Sequence, residues 1–380
     1  MVMKKIVVAS DSFKGSLSSS QVADSVERAI HMVYPQCQVV KVDVADGGEG
    51  TVEAVVGALA GERITARVQD PLGREIEAMY GIAGDMAVME MAAASGLPLL
   101  SPEERNPWNT STYGTGQMIK DAMDRGCRRF LVGIGGSATN DAGIGMARAL
   151  GFKFYDKDGE EIKAATGGSL KDIAAIDDSE IDKRLAECEF TVACDVDTPF
   201  CGKTGAAYVF ARQKGADDDM IERLDSGMYN YARVIKEKYG IDIAPMSGAG
   251  AAGGLGGGFK ALLGASLKKG VDMVLDAIHF DKLLSGADLL ITGEGKVDFQ
   301  TPRGKTASGV LSRGLKVGVK VVAIGGKVDM CDELLTMGFD GIYPITEEKL
   351  PLEVAMRYDV ASENVTRCVV EKILGAKYEK

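Results

Sequence analysis

The sequence predicts an α/β protein of two domains, with a doubly wound parallel sheet split by an inserted domain of mixed sheet. Three observations carry this. Apolar runs without alternation recur near residues 6, 39, 287, 320 and 342, the pattern of strands buried on both faces. The runs empty into polar, mostly glycine-bearing loops, and helical patterns alternate with them, as in a parallel α/β sheet. Between the second and third runs lies a long block whose β pattern does alternate, which marks a different kind of sheet. The expected domains are therefore residues 1–63 with 270–380, and the insertion 64–269.

Residues 6–9 read as a buried strand emptying into Asp11-Ser12-Phe13-Lys14-Gly15-Ser16. Ser18 and Gln21 then form a capping box, and Val22, Val26, Ile30 and Val33 share one helical face until Pro35. A second strand, 39–44, empties into Ala45-Asp46-Gly47-Gly48-Glu49-Gly50-Thr51, and a short apolar helix follows over 52–59. Residues 64–69 and 75–80 alternate around the turn Asp70-Pro71-Leu72-Gly73, so an antiparallel pair is expected, with 88–91 continuing the β pattern. A helix over 116–125 leads into the strand 130–132 and the turn Gly133 to Asp141. Strands are expected at 152–155 and 190–194, the latter ending in Asp195-Val196-Asp197, and a polar helix over 217–239.

The glycine-rich run 247–258 reads either as a linker or as an ordered loop packed close to a ligand or a second backbone. It feeds directly into an apolar helix, which favours the ordered loop. From there the first pattern returns: a helix over 273–284, a strand 287–291 ending in Thr292-Gly293-Glu294-Gly295-Lys296-Val297-Asp298, a helix 305–315, strands 319–324 and 341–345, and one closing helix 352–374. A flavodoxin-like strand order would set the switch point between the first and third strands. It would bring residues 11–16 beside 292–298, with 46–50 flanking. The small-molecule site is then expected in a cleft facing the inserted domain.

Composition narrows the chemistry. With 46% hydrophobic and 26% charged residues, the 380-residue chain is ordinary for a globular protein. It carries no apolar run of transmembrane length and no signal-peptide pattern, so a cytoplasmic protein is expected. A net charge of −11 argues against nucleic acid or an anionic membrane as partner. The seven cysteines are scattered without a C-x-x-C, which suits reduced thiols. There are only two histidines, and His31 sits inside a helical pattern. Carboxylates, lysine and backbone amides must therefore carry the chemistry.

Glycine turns at strand ends aim backbone N–H groups at anions. Lys14 suits a phosphate or carboxylate as a point charge. The acid pairs Asp46 and Glu49, Asp195 and Asp197, and Glu294 and Asp298 suit magnesium, or a general base acting on a hydroxyl. The turn Gly133-x-Gly135-x-x-Ala138, with Asp156 beyond it, also fits a dinucleotide fingerprint; in the alternative reading of the same turn, Asn140 and Asp141 do chemistry or simply cap a helix. No G-x-x-x-x-G-K-[ST] loop occurs, so phosphoryl transfer would need another nucleotide cradle.

Taken together, Asp11-Ser12-Phe13-Lys14-Gly15-Ser16, Ala45-Asp46-Gly47-Gly48-Glu49-Gly50-Thr51, Gly135-Gly136-Ser137-Ala138-Thr139-Asn140-Asp141, Cys194-Asp195-Val196-Asp197, the run from Gly248 through Gly253 and Gly254 to Gly256, and Thr292-Gly293-Glu294-Gly295 resemble the bacterial glycerate kinases of type I, in order along essentially the whole chain. The resemblance implies ATP-dependent phosphorylation of D-glycerate with Mg2+, and two α/β domains, one flavodoxin-like and split. The dinucleotide fit then becomes a coincidence of glycine spacing. The residues quoted would bind substrate and nucleotide. Lys14 would hold the glycerate carboxylate. One or two of Asp46, Asp195 and Glu294 would hold the magnesium, and one acid, Asp195 by preference, would accept the hydroxyl proton. The 2-hydroxyl is the expected acceptor, in glycerate catabolism, by a monomer or homodimer. Two rivals belong to other classes. One is an NAD-dependent 2-hydroxy-acid dehydrogenase built on the Gly133 turn, which lacks a plausible catalytic histidine. The other is a non-enzymatic metabolite-binding regulator, against which the crowd of carboxylates stands.

Overall fold

The computed structural model describes residues 3–346 and 350–378. In chain order the strands are β1 (Lys5–Ser10), β2 (Gln38–Asp43), β3 (Glu62–Gln69), β4 (Glu75–Ala83), β5 (Met86–Glu90), β6 (Arg129–Gly133), β7 (Lys153–Tyr155), β8 (Ala175–Asp177), β9 (Glu189–Ala193), β10 (Ser266–Lys268), β11 (Leu289–Val297), β12 (Lys320–Val328) and β13 (Gly341–Pro344). The chain divides into two compact units. Unit 1 is Met1–Asp46, Glu53–Ala58 and Val274–Lys380; unit 2 is Gly47–Val52 and Leu59–Met273.

Unit 1 is built on the sheet β13-β12-β11-β1-β2, parallel at every pairing. In sequence order this is the 2-1-3-4-5 arrangement of flavodoxin-like folds, with the order reversing between β1 and β11. Residues Ile6 to Ala9 and Leu290 to Thr292 are fully buried, because helices cover both faces of a parallel sheet. The helix Ser19–Val33 opens with the Ser18/Gln21 capping box and lays Val22, Val26 and Ile30 on that sheet. Each of these side chains contributes about 1.5–3 kcal/mol by burial. His31 reaches Cys37 O at 3.1 Å, a structural bond.

Unit 2 is built on a six-stranded sheet, β10-β9-β6-β5-β4-β3, in which β3, β4 and β5 run antiparallel and the rest parallel. Its core includes the stacked pair Phe130 and Phe190, with ring centroids 4.7 Å apart. The β7–β8 ribbon stands separately.

Three elements depart from the periodicity. The closing helix breaks into Leu352–Ala355 and Tyr358–Cys368, because Arg357 adopts an extended backbone between them. The helix expected over 273–284 breaks at His279, whose φ of 54° is left-handed. The glycine run is no linker: it forms the helix Ala251–Leu263, kinked where Ala252, Gly253 and Gly254 leave helical φ/ψ. Apolar spacing survives such breaks, which is why spacing alone does not reveal them. Among the described residues, no helix is long and apolar enough to cross a membrane.

Candidate functional site

In open α/β sheets, ligands bind beyond the carboxyl ends of the strands, where the strand order reverses. In unit 1 that edge carries a cavity of about 710 Å³, within the roughly 300–1,000 Å³ typical of small-molecule sites. Its wall follows the sheet: Asp46 beyond β2; Asp11, Ser12, Phe13, Lys14 and Ser16 after β1; Glu294, Gly295 and Lys296 in β11; Gly326 to Asp329 at the end of β12; Pro344, Ile345 and Thr346 at β13; then Leu350, Leu352, Ala355, Met356 and Ala361, with Lys305 from the loop before the helix Thr306–Val317.

Local structure explains how the charged groups meet. The Asp11 amide donates to Gly293 O at 2.9 Å, extending the β1–β11 ladder by one step. The chain then folds tightly, with Phe13 and Leu17 exchanging backbone bonds of 2.8 and 3.1 Å. Gly15 permits the turn with φ of +77°, and a Cβ there would lie 2.7 Å from Met356 Cε. Gly293 serves close packing: its Cβ would fall 2.7 Å from Ile324 O and 2.9 Å from Ser10 Oγ.

Asp11 accepts the Ser12 amide at 2.6 Å and the Thr306 hydroxyl at 3.3 Å. Burial, with the negative charge of Asp46 nearby, raises its carboxyl above the usual range. Glu294 is likewise raised by burial, against the pull of the Thr301 hydroxyl, which donates to its Oε1, and of Lys305, 3.4 Å from its Oε2. Burial also works against the charged form of Asp298, but Lys296 at 2.9 Å and the Gln300 amide more than offset it and hold the carboxyl low. Ser16 Oγ is buried on the cavity wall and has no hydrogen-bond partner among the described residues. The result is an acidic centre edged by lysines, with an unmatched hydroxyl: a setting for an anionic ligand and a hydroxyl to be deprotonated.

Of the residues picked out by the sequence, Asp11, Ser12, Lys14, Ser16, Asp46, Glu294 and Gly295 are brought together on this wall. Gly47, Gly48, Glu49 and Asp195 belong to unit 2, as do Gly135, Gly136, Ser137, Asn140, Asp141, Gly253 and Gly254. Gly47 packs tightly there, since a Cβ would sit 2.3 Å from the Ala193 Cβ. Asp195 is exposed at the end of β9, and its Oδ1 accepts the Gly270 amide at 3.0 Å.

The Gly135 to Asp141 loop is held from inside unit 2. The fully buried Asp141 carboxylate takes the Thr112 amide at 2.7 Å, the Thr112 hydroxyl at 2.8 Å, the Gly145 amide at 3.2 Å and the Gly143 amide at 3.3 Å. Its geometry is that of an internal staple. Asn140 is also fully buried, with Nδ2 3.3 Å from Met228 Sδ. Gly253 lies against the same loop, because a Cβ would sit 2.1 Å from Thr139 O, and its own carbonyl accepts the Ala142 amide at 3.1 Å. The glycine run is thus a backbone packed on a backbone. The dinucleotide reading fails on the same ground: no helix opens directly after Gly136, since the next one is Ile144–Ala149, and Asp156 turns its carboxylate onto the Asp158 and Glu160 amides at 2.9 Å each.

Sequence reasoning missed two lysines and a threonine. Lys305 was readable only as a helix residue, although Gly304-Lys305-Thr306 before a helix is the tail of a phosphate loop without its first glycine. Thr301 gives no signal of its own. Lys214 is only 2% exposed; its Nζ donates to Thr139 O at 2.6 Å and lies 3.4 Å from Ser137 Oγ. Burial lowers its ammonium to about 7, against the pull of Asp141.

A family model described as the glycerate kinase family matches residues 6–374. The chain is 44% identical to a glycerate kinase of Bacillus cereus over 95% of both chains. It is 43% identical to the glycerate 2-kinase of Escherichia coli over 96% of this chain and 95% of that one. A crystal structure described as that of a "putative glycerate kinase 2" from Salmonella typhimurium LT2 superposes with a TM-score of 0.88 at 43% identity, covering 98% of this chain and 99% of the other.

Proposed function

This chain belongs to the glycerate kinase family, and on that premise we propose that it transfers the γ-phosphoryl group of ATP to the 2-hydroxyl of D-glycerate, giving 2-phosphoglycerate in glycerate catabolism. The observation that carries the reading to this chain is the cavity at the switch point, where Asp11, Asp46, Glu294, Lys14 and Lys305 line one wall. Phosphoryl transfer asks little covalent chemistry of a protein. It needs positioned reactants and charge stabilisation in a dry site. The name of the Escherichia coli relative, glycerate 2-kinase, supports the choice of the 2-hydroxyl.

Each group then has a task. Lys14, on the turn closed by Phe13 and Leu17, neutralises the glycerate carboxylate. Lys305 stands at the start of the helix Thr306–Val317, which has no side-chain cap, so charge and helix dipole both favour a phosphate there. Asp11 accepts the hydroxyl proton: burial moves its carboxyl toward the range in which a base is effective, and the Ser12 amide fixes its orientation. Asp195, the base expected from the resemblance, belongs to unit 2 and is the alternative proton acceptor.

Magnesium suits the donor set. This ion takes one or two carboxylates together with phosphate oxygens, and does not need a closed protein cage. Asp46 and Glu294 line the cavity as oxygen donors, and Ser16 Oγ lacks a partner among the described residues. Asp46 and Glu294 would hold the ion, which supplies charge neutralisation on the phosphates.

The test is ADP release measured with purified protein, ATP and magnesium, with D-glycerate and with L-glycerate. The reading expects release that depends on D-glycerate and saturates. Release independent of glycerate, or none at all, overturns it.

A further inference from the structure

A buried carboxylate keeps its orientation through hydrogen bonds. The terminal torsion of a glutamate is broad and roughly two-fold, so the plane of the group follows its partners and not a rotamer well. Glu294 stands in β11 and is 5% exposed, and its two oxygens are committed differently. Oε1 accepts the hydroxyl proton of Thr301, and Oε2 lies 3.4 Å from the Lys305 ammonium.

The donor is itself held. Thr301 is fully buried and opens the single helical turn Thr301–Arg303 that follows β11. Its amide donates to Asp298 O at 2.9 Å, and its hydroxyl oxygen accepts the Asp298 amide at 3.1 Å. Pro302 comes next and presets the backbone of the turn. A hydroxyl has one proton to give. With the Asp298 amide already donating to the oxygen, that proton goes to Glu294 Oε1, and the backbone sets the direction of the bond. The Asp298 carboxylate has partners of its own, the Lys296 ammonium at 2.9 Å and the Gln300 amide at 2.9 Å.

We propose that Thr301 is a positioning residue for phosphoryl transfer: its hydroxyl, aimed by the Asp298 amide, fixes the plane of the Glu294 carboxylate and keeps Oε2 turned to the side where Lys305 stands. This rests on the reading above in which Glu294 helps to hold the magnesium ion. A fully buried hydroxyl meets no ligand, so Thr301 acts only through Glu294. Without its proton, Glu294 keeps Lys305 as its one charged partner and is free to turn about the terminal torsion. The oxygen meant for the ion is then no longer pre-placed, and a ligand must spend binding free energy to orient it.

The experiment separates the ion from the nucleotide. Full-length native protein, Thr301→Val and Thr301→Ser are titrated calorimetrically with ADP in the presence of Mn2+, which shares the oxygen ligands of Mg2+, and with ADP in EDTA. Valine matches threonine in shape and lacks the donor; serine keeps it. The proposal expects the Kd for Mn2+–ADP to rise about tenfold or more in Thr301→Val, as loss of a hydrogen bond to a charged group requires. The Kd for metal-free ADP stays as in the native protein, and Thr301→Ser restores Mn2+–ADP binding to within about twofold. In steady-state kinetics kcat falls in Thr301→Val while the D-glycerate KM holds. Should Thr301→Val fail to fold, Thr301→Cys, whose thiol is a weak donor, carries the same comparison. Native Mn2+–ADP binding in the variant without the donor overturns the proposal. So does a parallel loss of metal-free ADP binding, or a loss in Thr301→Ser as large as in Thr301→Val, since either marks a merely structural role. The two readings fail separately. D-glycerate turnover with an indifferent Thr301→Val removes the positioning role alone. A selective loss of Mn2+–ADP binding, in a protein that does not turn over D-glycerate, removes the substrate reading alone.

Discussion

Lys214→Met should flatten a pH dependence of stability that the native protein shows above neutrality. The side chain is 2% exposed, and burial lowers its ammonium from an ordinary value of 10.5 to about 7. Between these values the unfolded chain binds more protons than the folded one, so stability rises with pH. The gain is complete above the unfolded value and is lost as pH falls through about 7. Integrating one such group from pH 6 to pH 9 gives roughly 2–3 kcal/mol. Asp141, the charged group that opposes the shift, keeps its four donors in the variant. Methionine nearly matches lysine in length, so the cavity stays filled, while the bond to Thr139 O is lost. The assay is urea unfolding of both proteins at several pH values. Subtracting the curves cancels cysteines and surface groups common to both. A difference rising by 2–3 kcal/mol across that window supports the account. A flat difference refutes it, and means that the ammonium stays charged in the folded loop.

Three other outcomes follow from single contacts. Gly253→Ala combines a φ of +67° with a Cβ only 2.1 Å from Thr139 O, so thermal unfolding should show a loss of about 3 kcal/mol or more. Asp141→Ala leaves the Gly143 and Gly145 amides and the Thr112 amide and hydroxyl without their acceptor, and should cost about 3–5 kcal/mol in urea unfolding. Asp11→Asn keeps an oxygen for the Ser12 amide and loses the proton acceptor; steady-state kinetics should show kcat reduced about 10²–10⁴-fold with unchanged melting temperature.

Much of unit 1 is legible in the chain because its central strands are apolar and buried on both sides. Ile6 to Ala9 and Leu289 to Ile291 have no other reading, and the residues just beyond them, Asp11 and Glu294, meet because β1 and β11 are neighbours. Unit 2 is less legible. Asp141 reads as chemistry or as a helix cap, and only the packing shows four internal donors on its carboxylate. Lys214 hides in a polar stretch, because nothing local says that a lysine is buried; the carbonyl that receives it lies 75 positions away. The far side of the cavity is equally silent. Val328 and Ile345 read as ordinary residues at strand ends until the sheet order sets them on one wall. Long-range pairing, which period and propensity do not encode, supplies each of these.

The most direct test of the central claim joins activity to position. The protein is incubated with ATP, magnesium and D-glycerate, and enolase is added without phosphoglycerate mutase. The account predicts a rise in phosphoenolpyruvate absorbance at once, because 2-phosphoglycerate is the direct substrate of enolase. A rise that appears only after mutase is added contradicts the 2-position, and no rise with either, while D-glycerate remains intact, contradicts the account.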